Sequence, residues 1–199
     1  ILTERFVWTV DPIDGTKNFI KGNPLFCSMV ALLHYGTTVA SWIYVPKSSI
    51  CYFADEHGVQ VKYSDSLYRP FKISRFNTPQ LRIDDLSFTA SLRYLNCRLK
   101  KKVKKSLSFF KKRLYIGSVG IEATLIANAE IDLIFYSATS PWDHAPVDMF
   151  NRASGGRTGQ INLTDKTFSE IKLSNKSPIL FVRSEELWDD VTQLIFKYT

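Results

Sequence analysis

The sequence predicts a layered α/β architecture, and three observations predict it. The first quarter is built from extended segments rich in β-branched and aromatic residues, the second half alternates helical and strand-like patterns, and 45% of the 199 residues are apolar, enough to fill a sizeable core. Taken in order, RFVWTV (5–10), LFCSMVALL (25–33), TVASWIYV (38–45) and SICYFA (49–54) each read as a strand. The breaks HYGT and VPKSS between the later ones are short, so consecutive strands are expected to run antiparallel. Farther on, KKVKKSLSFFKK (101–112), VGIEATLIANA (119–129), WDHAPVDMFNRA (142–153) and SEELWDDVTQLIFKY (184–198) carry apolar residues at helical spacing. The pieces RLYIGS (113–118), IDLIFY (131–136) and PILFV (178–182) between them are strand-like. No internal repeat, low-complexity tract or Gly/Ser-rich linker divides the chain, and a single domain over residues 1–199 is expected.

Composition narrows the class further. No apolar stretch approaches the ~20 residues needed to cross a bilayer, so a soluble protein with no membrane partner is expected. Three cysteines, Cys27, Cys51 and Cys97, show no C-x-x-C spacing, which favours neither a disulfide framework nor a zinc site and points to reduced thiols in a cytoplasm. The net charge of +7 is concentrated in one run, where Arg98, Lys100, Lys101, Lys102, Lys104, Lys105, Lys111, Lys112 and Arg113 fall together. A nucleic-acid binder would use such a run against phosphates. Val103, Leu107 and Phe110 recur within it at helical spacing, however, and a solvated helix face is the reading we prefer; nucleic acid is not the expected partner.

The chemistry gathers at WTVDPIDGTKNF (8–19), where Asp11 and Asp14 stand three positions apart as a hydrophobic run stops. Pro12 fixes its own φ and pushes Asp11 towards an extended conformation, and Gly15 permits a sharp turn after Asp14. Two carboxylates brought together repel unless one is protonated or a cation lies between them, and oxygen ligands favour a hard ion such as Mg²⁺. Backbone amides around Gly15 and Thr16 would offer an anion site beside that cation, which suggests a phosphate. The same letters also form an ordinary turn with aspartates capping backbone amides. A second segment, PWDHAPVDMFNRASGG (141–156), supplies a further aspartate, Asp143, at the start of a helix, where it can cap that helix or complete a metal site. ASGG is expected to end this helix on a left-handed glycine.

D-P-I-D-G-T-x-N-F, followed by W-D-x-A and by a glycine thirteen residues beyond Asp143, resembles the inositol monophosphatase family of Mg²⁺-dependent, lithium-sensitive phosphatases. GSVGIEATLIANAEID (117–132) is similar to a third family segment, and the resemblance spans essentially the whole chain. It implies an αβαβα sugar-phosphatase sandwich, hydrolysis of a small phosphomonoester by a metal-activated water, and a homodimer. By the same resemblance, Asp11, Asp14, Asp143 and the Ile13 carbonyl hold the metal, and Thr16 and Asp14 stand nearest the chemistry, Thr16 holding the attacking water. The amides of Gly15 and Thr16 hold phosphate, and Gly117, Ser118, Val119 and Tyr136 contact the substrate. Tyr136 lies seven positions before Asp143, where inositol-selective members carry a glutamate, so a different sugar phosphate, histidinol phosphate or a phosphonucleotide stands beside inositol phosphate as substrate.

The family pattern also places a metal-binding glutamate and a threonine-orienting aspartate well upstream of the first aspartate, whereas this chain begins only ten residues before Asp11. Glu4 is too close to substitute and is expected in solvent. We therefore expect the chain to be the carboxy-terminal part of a longer protein, with its outer helices missing and one sheet face left uncovered. Lys17 is expected to be exposed, Trp142 to lie in the core, His144 to be structural or exposed, and Asp148 to lie off the metal-facing side of its helix. The alternatives to the phosphatase are a catalytically silent or regulatory homologue and, behind that, a nucleic-acid binder using residues 98–113.

Overall fold

A computed structural model gives the structure of residues 4–64, 66–72, 82–171 and 177–199. Strands β1 (Phe6–Asp14), β2 (Cys27–His34), β3 (Thr37–Val45), β4 (Ile50–Asp55), β5 (Gly58–Tyr63) and β6 (Arg69–Pro70) pair in chain order into an antiparallel sheet, as the short breaks predict; a five-residue helix α1 (Thr16–Ile20) leads from β1 towards β2. Alternation sets the two faces of this sheet. Met29, Ala31, Leu33, Ile43, Ala54 and Val61 are buried on one side, while Phe6, Trp8 and Val10 lie on the other, Trp8 with 58% of its surface exposed. Among the described residues that outer face is not covered.

The second sheet combines β7 (Ser87–Ser91), β8 (Lys112–Leu114), β9 (Leu133–Tyr136), β10 (Arg157–Asn162), β11 (Thr167–Ser169) and β12 (Ile179–Val182), in the order β11-β10-β12-β9-β7-β8. β7 runs parallel to β8 and β9, and the remaining pairs are antiparallel. Helices α2 (Cys97–Leu107), α3 (Val119–Ala127), α4 (Pro141–Ala153) and α5 (Trp188–Tyr198) complete the chain. Two cores lie on either side of this sheet. One joins its Ile134, Ile179 and Phe181 to α3, α4 and the inner face of the first sheet. The other joins Leu133, Phe135, Leu180 and Val182 to Val103 and Leu107 of α2 and to Trp188, Val191 and Ile195 of α5. Sheet, helix pair, sheet, helix pair is thus the layer order. The continuous apolar runs of β9 and β12 follow from burial on both faces.

Several boundaries differ from those expected. The helix predicted over 101–112 instead spans 97–107, because the Asn96 side chain caps it by accepting from the Leu99 amide at 2.9 Å. Its lower end stops before Phe110, since Lys112–Leu114 pairs with β7; Phe110 is buried from the intervening turn, and the lysines at 101, 104 and 105 face solvent. Only the first two residues of the strand predicted over 113–118 belong to β8. Trp142, expected in the core, is 49% exposed at the start of α4. Ser154 follows α4 and Gly155 adopts φ 76°, the left-handed ending that ASGG predicts. No helix among the described residues is long and apolar enough to cross a membrane.

Candidate functional site

In a regular strand, residues three apart point to opposite faces. At the end of β1, Asp11 pairs with Met29 and Asp14 with Cys27, so three steps along β1 match two along β2. This bulge turns both carboxylates to the inner side, where their partners Met29 and Cys27 are fully buried. Pro12 lies inside it and has no amide to leave unpaired, while the Ile13 amide donates to Asp11 Oδ1 at 3.0 Å. Gly15 follows at φ 83°, and a Cβ there would come within 2.9 Å of Leu25 O and of Ser118 Cβ. Thr16 begins α1 and donates its hydroxyl to the Ile13 carbonyl at 2.8 Å.

Two helix starts complete the site. Ser118, which caps α3, donates to Asp14 Oδ2 at 2.6 Å, and the Gly120 amide donates to the same oxygen at 2.8 Å. Asp143 lies in the first turn of α4 behind Pro141, where its Oδ2 accepts from the Ser140 amide at 3.0 Å. Asp11, Asp14 and Asp143, from segments more than a hundred residues apart, each present a carboxylate oxygen within 4.8 Å of the others. Burial pushes the Asp14 carboxyl up from its usual range, with the charge of Asp11 adding to it. Asp143 is pushed up to about 6, again first by burial and then by the charges of Asp14 and Asp11. The site therefore carries an unbalanced negative charge, as crowded carboxylates awaiting a cation do.

A cavity of about 700 Å³ opens from Asp14 and Asp143 between β7, β9 and the loop before α3. Gly117, Val119 and Tyr136 line it, whereas the Ser118 side chain is spent on Asp14. The Tyr136 hydroxyl donates to Glu122 Oε2 at 2.7 Å. Glu122 and Thr89, which bond to each other at 2.9 Å, are cavity residues that the sequence did not single out; a glutamate one turn into a helix carries no signal of burial. Asn18 was missed as well. Its side chain donates to Leu25 O and Ile116 O, tying α1 to the loop before α3. Lys17 is exposed, and Asp148 pairs with Arg152 at 3.1 Å. His144 is buried, bonded through Nδ1 to Thr139 Oγ1 at 2.6 Å, and burial lowers its pKa to about 4, so it stays neutral.

With this geometry in place, similarity to known proteins decides the family: the model of the "Inositol monophosphatase family" matches residues 1–186. The chain belongs to the inositol monophosphatase family. It is 30% identical over 156 residues to the histidinol-phosphatase of Mycobacterium tuberculosis, covering 78% of this chain and 59% of that protein. It is 30% identical over 154 residues to the probable inositol 1-monophosphatase ImpA of the same organism, covering 76% of this chain and 56% of that one. The chain thus spans less than three-fifths of the length of these curated relatives. An inositol monophosphatase from Anabaena (Nostoc) sp. PCC 7120 superposes over 99% of this chain and 74% of its own with a TM-score of 0.79; at 18% identity this likeness establishes the shared fold, an α+β sandwich of this family.

Proposed function

We propose that the chain contributes the metal and phosphate site of a phosphomonoesterase that hydrolyses a small phosphate ester with the help of Mg²⁺. The observation that carries this reading is the meeting of Asp11, Asp14 and Asp143 within 4.8 Å at the end of a cavity large enough for a phosphorylated metabolite. The residues suit a hard divalent ion. All three donors are carboxylate oxygens, and opposite ligands of an octahedral Mg²⁺ stand roughly 4.2 Å apart at bonds of about 2.1 Å, a span the cluster nearly matches. Asp11, Asp14, Asp143 and the Ile13 carbonyl would hold the ion. When bound, such an ion lowers the pKa of a water and neutralises charge on the phosphoryl and leaving oxygens.

The chain's own groups do the rest. Ser118 and the Gly120 amide hold Asp14 in one orientation, and the Ser140 amide does the same for Asp143. Thr16, whose hydroxyl already donates to Ile13 O, keeps acceptor capacity for the attacking water. The amides that begin α1 at Gly15 and Thr16 lack partners within their helix and suit a phosphate oxygen. Gly117, Val119 and Tyr136 border the space left for the alcohol. The family resemblance extends the same reading to lithium inhibition, a cytoplasmic location and a homodimer.

Phosphate release tests the proposal. With Mg²⁺ present, Asp143→Asn is expected to lower kcat/KM by about a hundredfold or more, on the scale of losing charge stabilisation in a phosphoryl transfer. Unchanged turnover in that variant would contradict it.

A further inference from the structure

A second carboxylate lies on the wall of the same cavity. Glu122 projects from the first turn of α3 and lines the cavity with Thr89 and Tyr136, yet only 3% of its surface is exposed. Thr89 Oγ1 and the Tyr136 hydroxyl both donate to Oε2, at 2.9 and 2.7 Å. Oε1 accepts one long bond, 3.4 Å from the Gly117 amide, which leaves it lone-pair capacity. Among the described residues no cation forms an ion pair with Glu122. Arg113, close to this cavity, is committed elsewhere, donating to Ala90 O at 2.7 Å and lying over the Tyr115 ring at 4.6 Å. A carboxylate so enclosed by donors and lacking a counter-charge is costly to keep ionised, and an arriving cation would offset that cost.

We propose that Glu122 is the specificity-determining residue of this cavity and that its Oε1 receives a cationic nitrogen, ammonium or imidazolium, on the alcohol part of the substrate. The preferred class is then the phosphate ester of an amino alcohol rather than of a neutral polyol. This rests on the phosphatase reading above. Burial pushes the Glu122 carboxyl up to about 7, with the charge of Asp14 adding a smaller push, while the bonds from Tyr136, Thr89 and Gly117 hold it down. A ligand cation favours the ionised form. Of the groups around this carboxyl, Tyr136 on β9 and Asp14 at the end of β1 are titratable, and Thr89 on β7 and the Gly117 amide are not.

The test compares L-histidinol phosphate with inositol 1-phosphate as substrates, and free histidinol with free inositol as calorimetric ligands. The wild-type chain, Glu122→Gln and Tyr136→Phe are each measured. Wild type is expected to bind histidinol more tightly than inositol. Glu122→Gln should lower the ratio of kcat/KM for the cationic over the neutral ester by about tenfold or more, chiefly through KM, and weaken histidinol binding by a similar factor. Tyr136→Phe removes a donor that favours the ionised carboxylate, so histidinol binding should weaken at pH 7 and recover towards pH 8. Equal losses on both esters would reduce Glu122 to a structural tie and overturn the proposal, as would wild-type binding of histidinol no tighter than of inositol. If neither ester is hydrolysed, the phosphatase reading fails, yet calorimetry with free histidinol still decides the role of Glu122.

Discussion

Gly15 adopts φ 83°, a region that side chains reach only under strain, and Leu25 O and Ser118 Cβ stand 2.9 Å from where a Cβ would sit. Gly15→Ala should therefore destabilise the chain by about 1–3 kcal/mol in urea unfolding; a cost near zero would mean that the turn can relax. Ser118 acts on Asp14 rather than on open space, so Ser118→Ala should weaken Mg²⁺ binding by about ten- to a hundredfold, as loss of a ligand-orienting hydrogen bond does. At this scale the sequence was legible where motif and chemistry coincide. Asp11, Asp14 and Asp143 are named by their segments, and the structure brings them together. Glu122 and Asn18 were not legible, because their partners Thr89, Tyr136 and Ile116 come from distant parts of the chain and no local pattern announces them. Trp142 shows the opposite error: a large apolar side chain was assigned to the core, but the first turn of α4 faces outward there.

Elements were legible where periodicity extends over many residues. The antiparallel run β1 to β4 and the helices α3, α4 and α5 lie close to their predicted positions. The strands β7, β10 and β11 were missed, being short and mixed in composition, with burial supplied by neighbours on the second sheet. α2 shows why its ends shifted: a side-chain cap at Asn96 extends the start, while pairing of Lys112–Leu114 with β7 withdraws the end from the helix. Asn96→Ala should accordingly cost about 1 kcal/mol of stability in chemical denaturation. A loss of that size together with lower helix content would place the effect in α2. The bulge in β1 is the element on which the site depends most, since it alone reconciles a three-residue spacing with two carboxylates on one face.

Across the whole molecule, two helix starts, a strand end and two sheets converge on one acidic cavity. The carboxyl pKa of Asp143 is raised to about 6 and that of Glu122 to about 7, each chiefly by burial. Both folded values exceed the unfolded ones, so between about pH 4 and 7 the folded chain binds protons that the unfolded chain has released, and these groups lower stability as pH rises. Glu122→Gln should flatten the decline in the melting temperature of the metal-free chain between pH 5 and pH 8; an unchanged slope would show that Glu122 contributes nothing to it. Metal binding has the opposite dependence. It needs Asp143 ionised and should weaken as pH falls below about 6. The uncovered outer face with Phe6, Trp8 and Val10 follows from alternation in β1 and was legible in the sequence, whereas the two-sided core of the second sheet emerges only once α2 to α5 are placed.

The central claim is that three aspartates from two distant segments hold one divalent cation, and calorimetric titration of Mg²⁺ into the chain and its single variants tests it most directly. The account predicts a saturable site in the wild type whose affinity falls by at least about tenfold in Asp11→Asn, Asp14→Asn and Asp143→Asn alike. Variants that bind Mg²⁺ as the wild type does would contradict it.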